Sequence, residues 1–233
     1  MPGDRRLAEY RALWSRFWRD WQSRRSLRPT GPLLEGEVWG LLIEHYTSPG
    51  RFYHTLDHVV GMVRQVRELR GSVQLGTLPE ADLRSVDFDL LELAVWFHDA
   101  VYEVGAEDNE VRSADLAAGA ARAMGFSEAQ VDRIKDLVLQ SAHRAPATTF
   151  AARLMCDIDL VLLGLPWEQF VAGMDLIRRE CAPMPRAASQ FERAAMLRSF
   201  LSRASIYQTA LYRERFEARA RENIDRFIRE QGM

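Results

Sequence analysis

Apolar residues recur every three or four positions along almost the whole chain, as in Leu7, Tyr10, Leu13, Trp14, Phe17, Trp18 and Trp21, and strand-like alternation is almost absent. Because an α-helix turns every 3.6 residues, this spacing gathers apolar side chains on one face, and the chain is expected to be all-α. Glycine, proline and capping residues punctuate the pattern. Helices are predicted from Leu7 to Trp21, Pro32 to Tyr46, about His54 to Leu69, Asp87 to Ala100, Asp108 to Met124, Ser127 to Ala142 and Thr148 to Leu163. Three more follow over Trp167 to Ala182, Ala188 to Ala204 and Tyr207 to Gln231. Gly71 to Asp87 is the most loop-like stretch of the first half, and Ala145 to Phe150 is a second expected loop. With 233 residues and no internal repeat, residues 1–233 are expected to form one domain with its own core.

Charge and composition exclude several functions. A formal net charge of -2 leaves no electrostatic footprint for a nucleic-acid polymer, so small molecules are the expected partners. Lys135 is the only lysine, and no Gly-Lys-Ser/Thr phosphate loop exists. A Schiff base would have to use Lys135, which Ile134, Leu137 and Val138 place on an ordinary amphipathic helix. Cys156 and Cys181 are too few and too far apart for a zinc ribbon, a redox pair or a disulfide framework, and a reducing cytoplasm is the expected location. The first helix contains Glu9 and Asp20, unlike a signal peptide, and no run approaches the roughly 20 apolar residues of a membrane helix. Trp14, Trp18 and Trp21 share a helical face that belongs either to the core or to a contact in a homo-oligomer.

Chemistry concentrates in three places. His98 and Asp99 follow the apolar run from Leu90 to Phe97, His54 and His58 lie four residues apart, and Asp157 and Asp159 sit inside another apolar segment. On a helix, His54 and His58 project from one face within about 6 Å of each other. Asp157 and Asp159 instead diverge by about 200°, so one is a ligand and the other does something else. Mixed imidazole and carboxylate donors suit Mn, Fe, Ni or Zn, with Mg also accommodated, one or two ions per chain, and they leave coordination positions open for water. Such an ion activates water and polarises a phosphoryl or carbonyl oxygen.

His58, His98-Asp99 and Asp157, in an all-α chain with these separations, resemble the HD-domain superfamily of metal-dependent phosphohydrolases. The likeness spans about Arg51 to Gly164. Arg51-Phe52-Tyr53-His54, Trp96-Phe97-His98-Asp99 and Asp108-Asn109-Glu110 followed by Ser113-Ala114 look like its uncharacterised predicted-hydrolase branch. The resemblance implies an HD-domain-like helical bundle with the metal held between helices by His58, His98, Asp99 and Asp157, and water as nucleophile. It further implies Asp159 as the residue that orients a ligand. Tyr53-His54 with His58 four later is also similar to the cyclic-nucleotide phosphodiesterase branch, which implies His54 as general acid. The glycine-containing signatures of the cyclic-dinucleotide branch are missing, and so is the fuller ligand set of the cyclic-nucleotide enzymes.

Further candidates complete the reading. Glu110, one turn into its helix, is a candidate to position the attacking water, and Arg51 and Arg144 are candidates to clamp a substrate phosphate. His143 is a candidate ligand for a second metal, or a histidine interacting with its helix C-terminus; His54 is equally readable as a capping or packing residue. The expected function is hydrolysis of a phosphate ester of a small molecule, such as a nucleotide. The alternatives are a two-iron oxygenase on the same fold and a non-catalytic metal-stabilised ligand-binding module.

Overall fold

The helical periodicity is realised throughout the computed structural model, which describes residues 2–25, 35–76 and 81–232. Among these residues there are ten α-helices and no strand. They are α1 Pro2–Arg25, α2 Glu35–Tyr46, α3 Leu56–Leu75, α4 Phe88–Phe97, α5 Asn109–Ala123, α6 Glu128–Gln140, α7 Phe150–Asp159, α8 Trp167–Glu180, α9 Arg186–Ser202 and α10 Ala210–Glu230. Short 3₁₀ segments occupy Ala81–Ser85 and Leu160–Gly164. Pro32, the expected start of the second helix, and Pro79 lie outside the described residues.

Helix α4 is the centre of the bundle. Its N-cap Asp87 accepts hydrogen bonds from the amides of Asp89 at 3.2 Å and Leu90 at 3.5 Å. Every residue from Phe88 to Phe97 is buried, and α3, α5, α6 and α7 surround it. Two of those buried residues are acids, and each is met by arginine: Glu92 by Arg67 at 2.6 Å, Asp89 by Arg24 and Arg70 at 2.6 and 2.7 Å. The tryptophan face of α1 belongs to the core. Trp14, Trp18 and Trp21 are buried within the chain, and Trp21 donates to the Met124 carbonyl at 3.1 Å and stacks on Phe126 at 3.6 Å. One hydrophobic cluster draws side chains from all ten helices. No single helix among the described residues is long and apolar enough to cross a membrane.

Within the expected loop from Gly71 to Asp87, residues 71–75 and 81–85 are helical. Helix α3 continues through Gly71 and stops at Gly76, where φ is +65° and the amide bonds back to Ser72 and Val73. A glycine costs about 1 kcal/mol inside a helix, which buried neighbours such as Val66 and Leu69 offset, whereas a left-handed terminus favours glycine. Toward the C-terminus, α10 grips the segment that follows α7. Asn223 donates to the carbonyls of Leu163 and Leu165, both at 2.8 Å. A Cβ on Gly164 would lie 2.6 Å from the Cβ of Phe216, so only glycine allows this approach.

Candidate metal centre

Three helix ends meet at the site. His58 lies in the first turn of α3, His98 caps the C-terminus of α4 with Asp99 immediately after it, and Asp159 is the last residue of α7. His58 Nε2 is 3.2 Å from His98 Nε2 and 3.1 Å from Asp159 Oδ1, while His98 Nε2 is 2.9 Å from Asp99 Oδ2. One donor atom from each of His58, His98, Asp99 and Asp159 lies within 4.8 Å of every other. Among the described residues this is the one such group.

The donor chemistry suits a cation. His98 Nδ1 lies 2.9 Å from the Val95 carbonyl, an acceptor only, so Nδ1 carries a proton and Nε2 is the nitrogen that faces the cluster. Burial lowers the His98 pKa, but the Asp99 charge and the hydrogen bonds to Asp159 and Asp99 raise it well above its ordinary value. Burial raises Asp99, yet His98 and His54 pull it below the usual carboxylate range. The pocket therefore attracts positive charge, and two imidazole nitrogens with two carboxylate oxygens can hold a divalent transition metal.

Asp157 requires a correction. The resemblance implied it as the ligand, but its carboxylate accepts from the amides of Gln208 at 2.6 Å and Thr209 at 2.7 Å and from the Thr209 hydroxyl at 2.6 Å. Burial pushes its pKa up to about 6 against those three bonds. It anchors the N-terminus of α10, and Asp159 takes the place at the cluster. Rotation along a helix separates the two as expected.

His143 reaches the same carboxylate from the other side, with Nε2 2.8 Å from Asp159 Oδ2. It is the one non-glycine residue with positive φ among the described residues, at 52°. Burial lowers its pKa, but Asp159 and then Cys156 hold it at about 10. His143 thus orients Asp159, and it stands next to the cluster as a candidate for a second ion.

His54 is held rigidly beside the cluster. Its Nδ1 is 2.6 Å from Glu180 Oε2, its ring stacks on Tyr102 at 4.1 Å, and its centroid is 6.0 Å from that of His58. Glu180 Oε1 accepts from the amides of Phe52, Tyr53 and His54 at 2.7, 2.8 and 2.9 Å. Four donors on one buried carboxylate keep it ionised, below the ordinary range despite burial. Burial lowers the His54 pKa, and the Asp99 charge and the Glu180 hydrogen bond more than offset this, leaving it raised. Glu180, 126 positions away, was not among the expected residues. Following Arg178 and Arg179 near a helix end, it reads in the sequence as a solvated acid.

The remaining candidates divide. Arg51 does not offer a phosphate clamp, because its guanidinium is spent on the protein. Nη1 donates to the carbonyls of His54 at 2.8 Å and Asp99 at 2.7 Å, Nη2 to Ala100 at 2.7 Å, and Nε to the Ser48 hydroxyl at 3.1 Å. Glu110 and Arg144 come together, 3.9 Å apart beside a cavity of about 150 Å³, but neither bonds to the four clustered side chains. Glu110 therefore does not reach the place expected for a water-positioning base. Asn109 and Ser113, from the phrase that carried the resemblance, instead latch the loop after Asp99. Asn109 exchanges two 2.9 Å bonds with the backbone of Glu103, and buried Ser113 accepts from the Val101 amide at 3.0 Å. Comparison of the chain with known protein families, with curated proteins and with solved structures found no match.

Proposed function

We propose that this protein is a metal-dependent phosphohydrolase that cleaves a phosphate ester of a small molecule. The observation that carries the reading is the convergence of His58, His98, Asp99 and Asp159 within 4.8 Å, a mixed nitrogen and oxygen donor set. Bound there, a divalent transition ion would supply an activated water and neutralise charge on a phosphoryl oxygen. The ends of α3, α4 and α7 fix the four ligands, and the bond from His98 Nδ1 to Val95 sets which nitrogen faces the cluster. His54, with Nδ1 on Glu180 and a raised pKa, is held protonated with Nε2–H to donate to the leaving oxygen. Tyr102 restricts the rotation of that ring by stacking on it. The resemblance to the HD-domain superfamily supports the same reading.

A second reading rests on Asp159, whose two oxygens face different histidines: Oδ1 is 3.1 Å from His58 and Oδ2 2.8 Å from His143. Asp159 would in that case be shared between two ions, as a two-iron oxygenase requires. Elemental analysis of the purified protein and of Asp99→Ala tests both readings, together with a panel of phosphate mono- and diesters assayed with Mn, Fe, Ni or Zn. Metal that disappears in Asp99→Ala together with ester hydrolysis supports the first. Two irons per chain with oxygen consumption and a silent ester panel replaces it with the second. Metal absent from both proteins after reconstitution refutes the metal centre.

A further inference from the structure

A second cavity, of about 580 Å³, opens between the loop after His143, the start of α7, the segment after α9 and the start of α10. Arg144, Arg153, Arg203 and Arg213 all line it, and no acidic side chain does. Among the described residues Arg153, Arg203 and Arg213 make no direct ion pair, unlike Arg24, Arg67, Arg70 and Arg122. Arg203 donates to the His143 carbonyl at 2.9 Å and stacks on Phe200 at 4.5 Å. Arg213 reaches the Gln208 carbonyl at 3.2 Å, and Arg153 the carbonyls of Ala147 and Thr148 at 3.2 and 3.3 Å. Arg144 has Glu110 at 3.9 Å, and Arg213 lies near enough to Asp157 to lower that carboxylate's pKa.

Four guanidinium groups around one cavity repel one another, and among the described residues they are offset only in part, by Glu110 beside Arg144 and by the charge of Asp157, which acts on Arg213. Asp157 and Glu217 make their direct bonds to other groups. Asp157 accepts from Gln208 and Thr209, and Glu217 accepts from the amides of Ile206 and Tyr207 and pairs with Arg221. The N-termini of α7 and α10 add their positive ends to the same place. Between the arginines the wall is apolar, formed by Ala145, Pro146, Ala204 and Ile206. The volume lies within the range of pockets that enclose a small organic ligand. None of His58, His98, Asp99 and Asp159 lines the cavity. It lies on the side of α7 that Asp157 faces, because Gln208, which holds Asp157, is part of its lining.

We propose that this arginine-lined cavity is a second binding site, separate from the metal cluster, for an organic phosphate of nucleotide size. The phosphoryl oxygens accept from the fork-shaped guanidinium groups, and the apolar body lies against Pro146 and Ile206. Calorimetric titration with ADP at fixed ionic strength tests it, using the EDTA-treated full-length protein, its Asp99→Ala variant and two arginine variants. Arg213→Gln and Arg144→Gln are chosen because both side chains are exposed, so the fold survives each change. ADP is expected to bind wild type and Asp99→Ala equally, to bind each arginine variant about tenfold more weakly, and to bind tighter than pyrophosphate, which lacks the apolar body. Absence of binding to wild type overturns the proposal. So does affinity unchanged in both arginine variants, or binding abolished by Asp99→Ala, which would assign the phosphate to the metal cluster. The failure of this site leaves the metal reading untouched, because the titration is made without metal.

Discussion

Asp157 and Asp159 are identical side chains two residues apart on one helix, and their surroundings give them opposite work. Asp157 meets donors that do not titrate near neutral pH: the Gln208 and Thr209 amides and the Thr209 hydroxyl. Asp159 meets three imidazoles, those of His58, His98 and His143, whose ring nitrogens exchange protons or coordinate ions. A carboxylate surrounded by backbone amides is a structural anchor, because its capacity is consumed by groups that never change. One surrounded by imidazoles remains available, and its partners are themselves groups able to bind a metal.

The largest expected break in this comparison is in metal content. Asp159→Ala should reduce bound transition metal from about one or two ions per chain to none, while Asp157→Ala keeps the full complement. Elemental analysis of both reads it directly, and the reverse pattern would restore Asp157 as the ligand. Stability should move the other way round. Asp157→Ala removes the acceptor of the Gln208 and Thr209 amides and of the Thr209 hydroxyl proton at the start of α10 and should cost about 2–4 kcal/mol in urea denaturation.

A second carboxylate anchored by amides sharpens the contrast, because Glu180 uses one oxygen as Asp157 does and the other on an imidazole. Glu180→Gln keeps an acceptor for the three amides and removes the charge, so about 1–2 kcal/mol should be lost. The pH dependence has a definite sign. Glu180 is held below its ordinary 4.5, so its contribution is present above that pH and lost as pH falls through the lowered value. His54 is held above its ordinary 6.5, so its contribution is full below that pH and lost as pH rises through the raised value. The gap between wild type and Glu180→Gln should therefore be widest between 4.5 and 6.5 and narrow at alkaline pH. A gap independent of pH would mean that the pair is not ionic. The smallest expected effect is Thr209→Val, which removes one cap to Tyr212 and one bond to Asp157, at about 1 kcal/mol.

Much of the fold was legible because helix periodicity and caps are local. Asp87 and Ser127 mark helix starts in both sequence and structure, and Thr149 caps the helix expected from Thr148. His58, His98 and Asp99 were legible too, since a histidine at the first turn of one helix and a His-Asp pair at the end of a buried one leave few other places to go. The choice between Asp157 and Asp159 was not. It depends on how α7 is rotated by Leu154, Met155 and Ile158 and on an α10 N-terminus some fifty residues later, both consequences of packing. Gly71 suggested a helix end at Leu69 because propensity is only a weak prior, and buried neighbours carried α3 on to Leu75. Arg51 and Glu180 were hidden for a common reason: their partners are mostly backbone groups, which every residue possesses and no sequence pattern marks.

The guanidinium of Arg51, wedged between Tyr46 and Tyr102 and bonded to the carbonyls of His54, Asp99 and Ala100, bears on how portable this centre is. Transplanting the four ligands into another helical bundle would leave the chain around His54 and the turn after His98 free to drift apart. The smallest transferable unit therefore includes Arg51, and a graft that omits it should assemble histidines and aspartates without a shared centre.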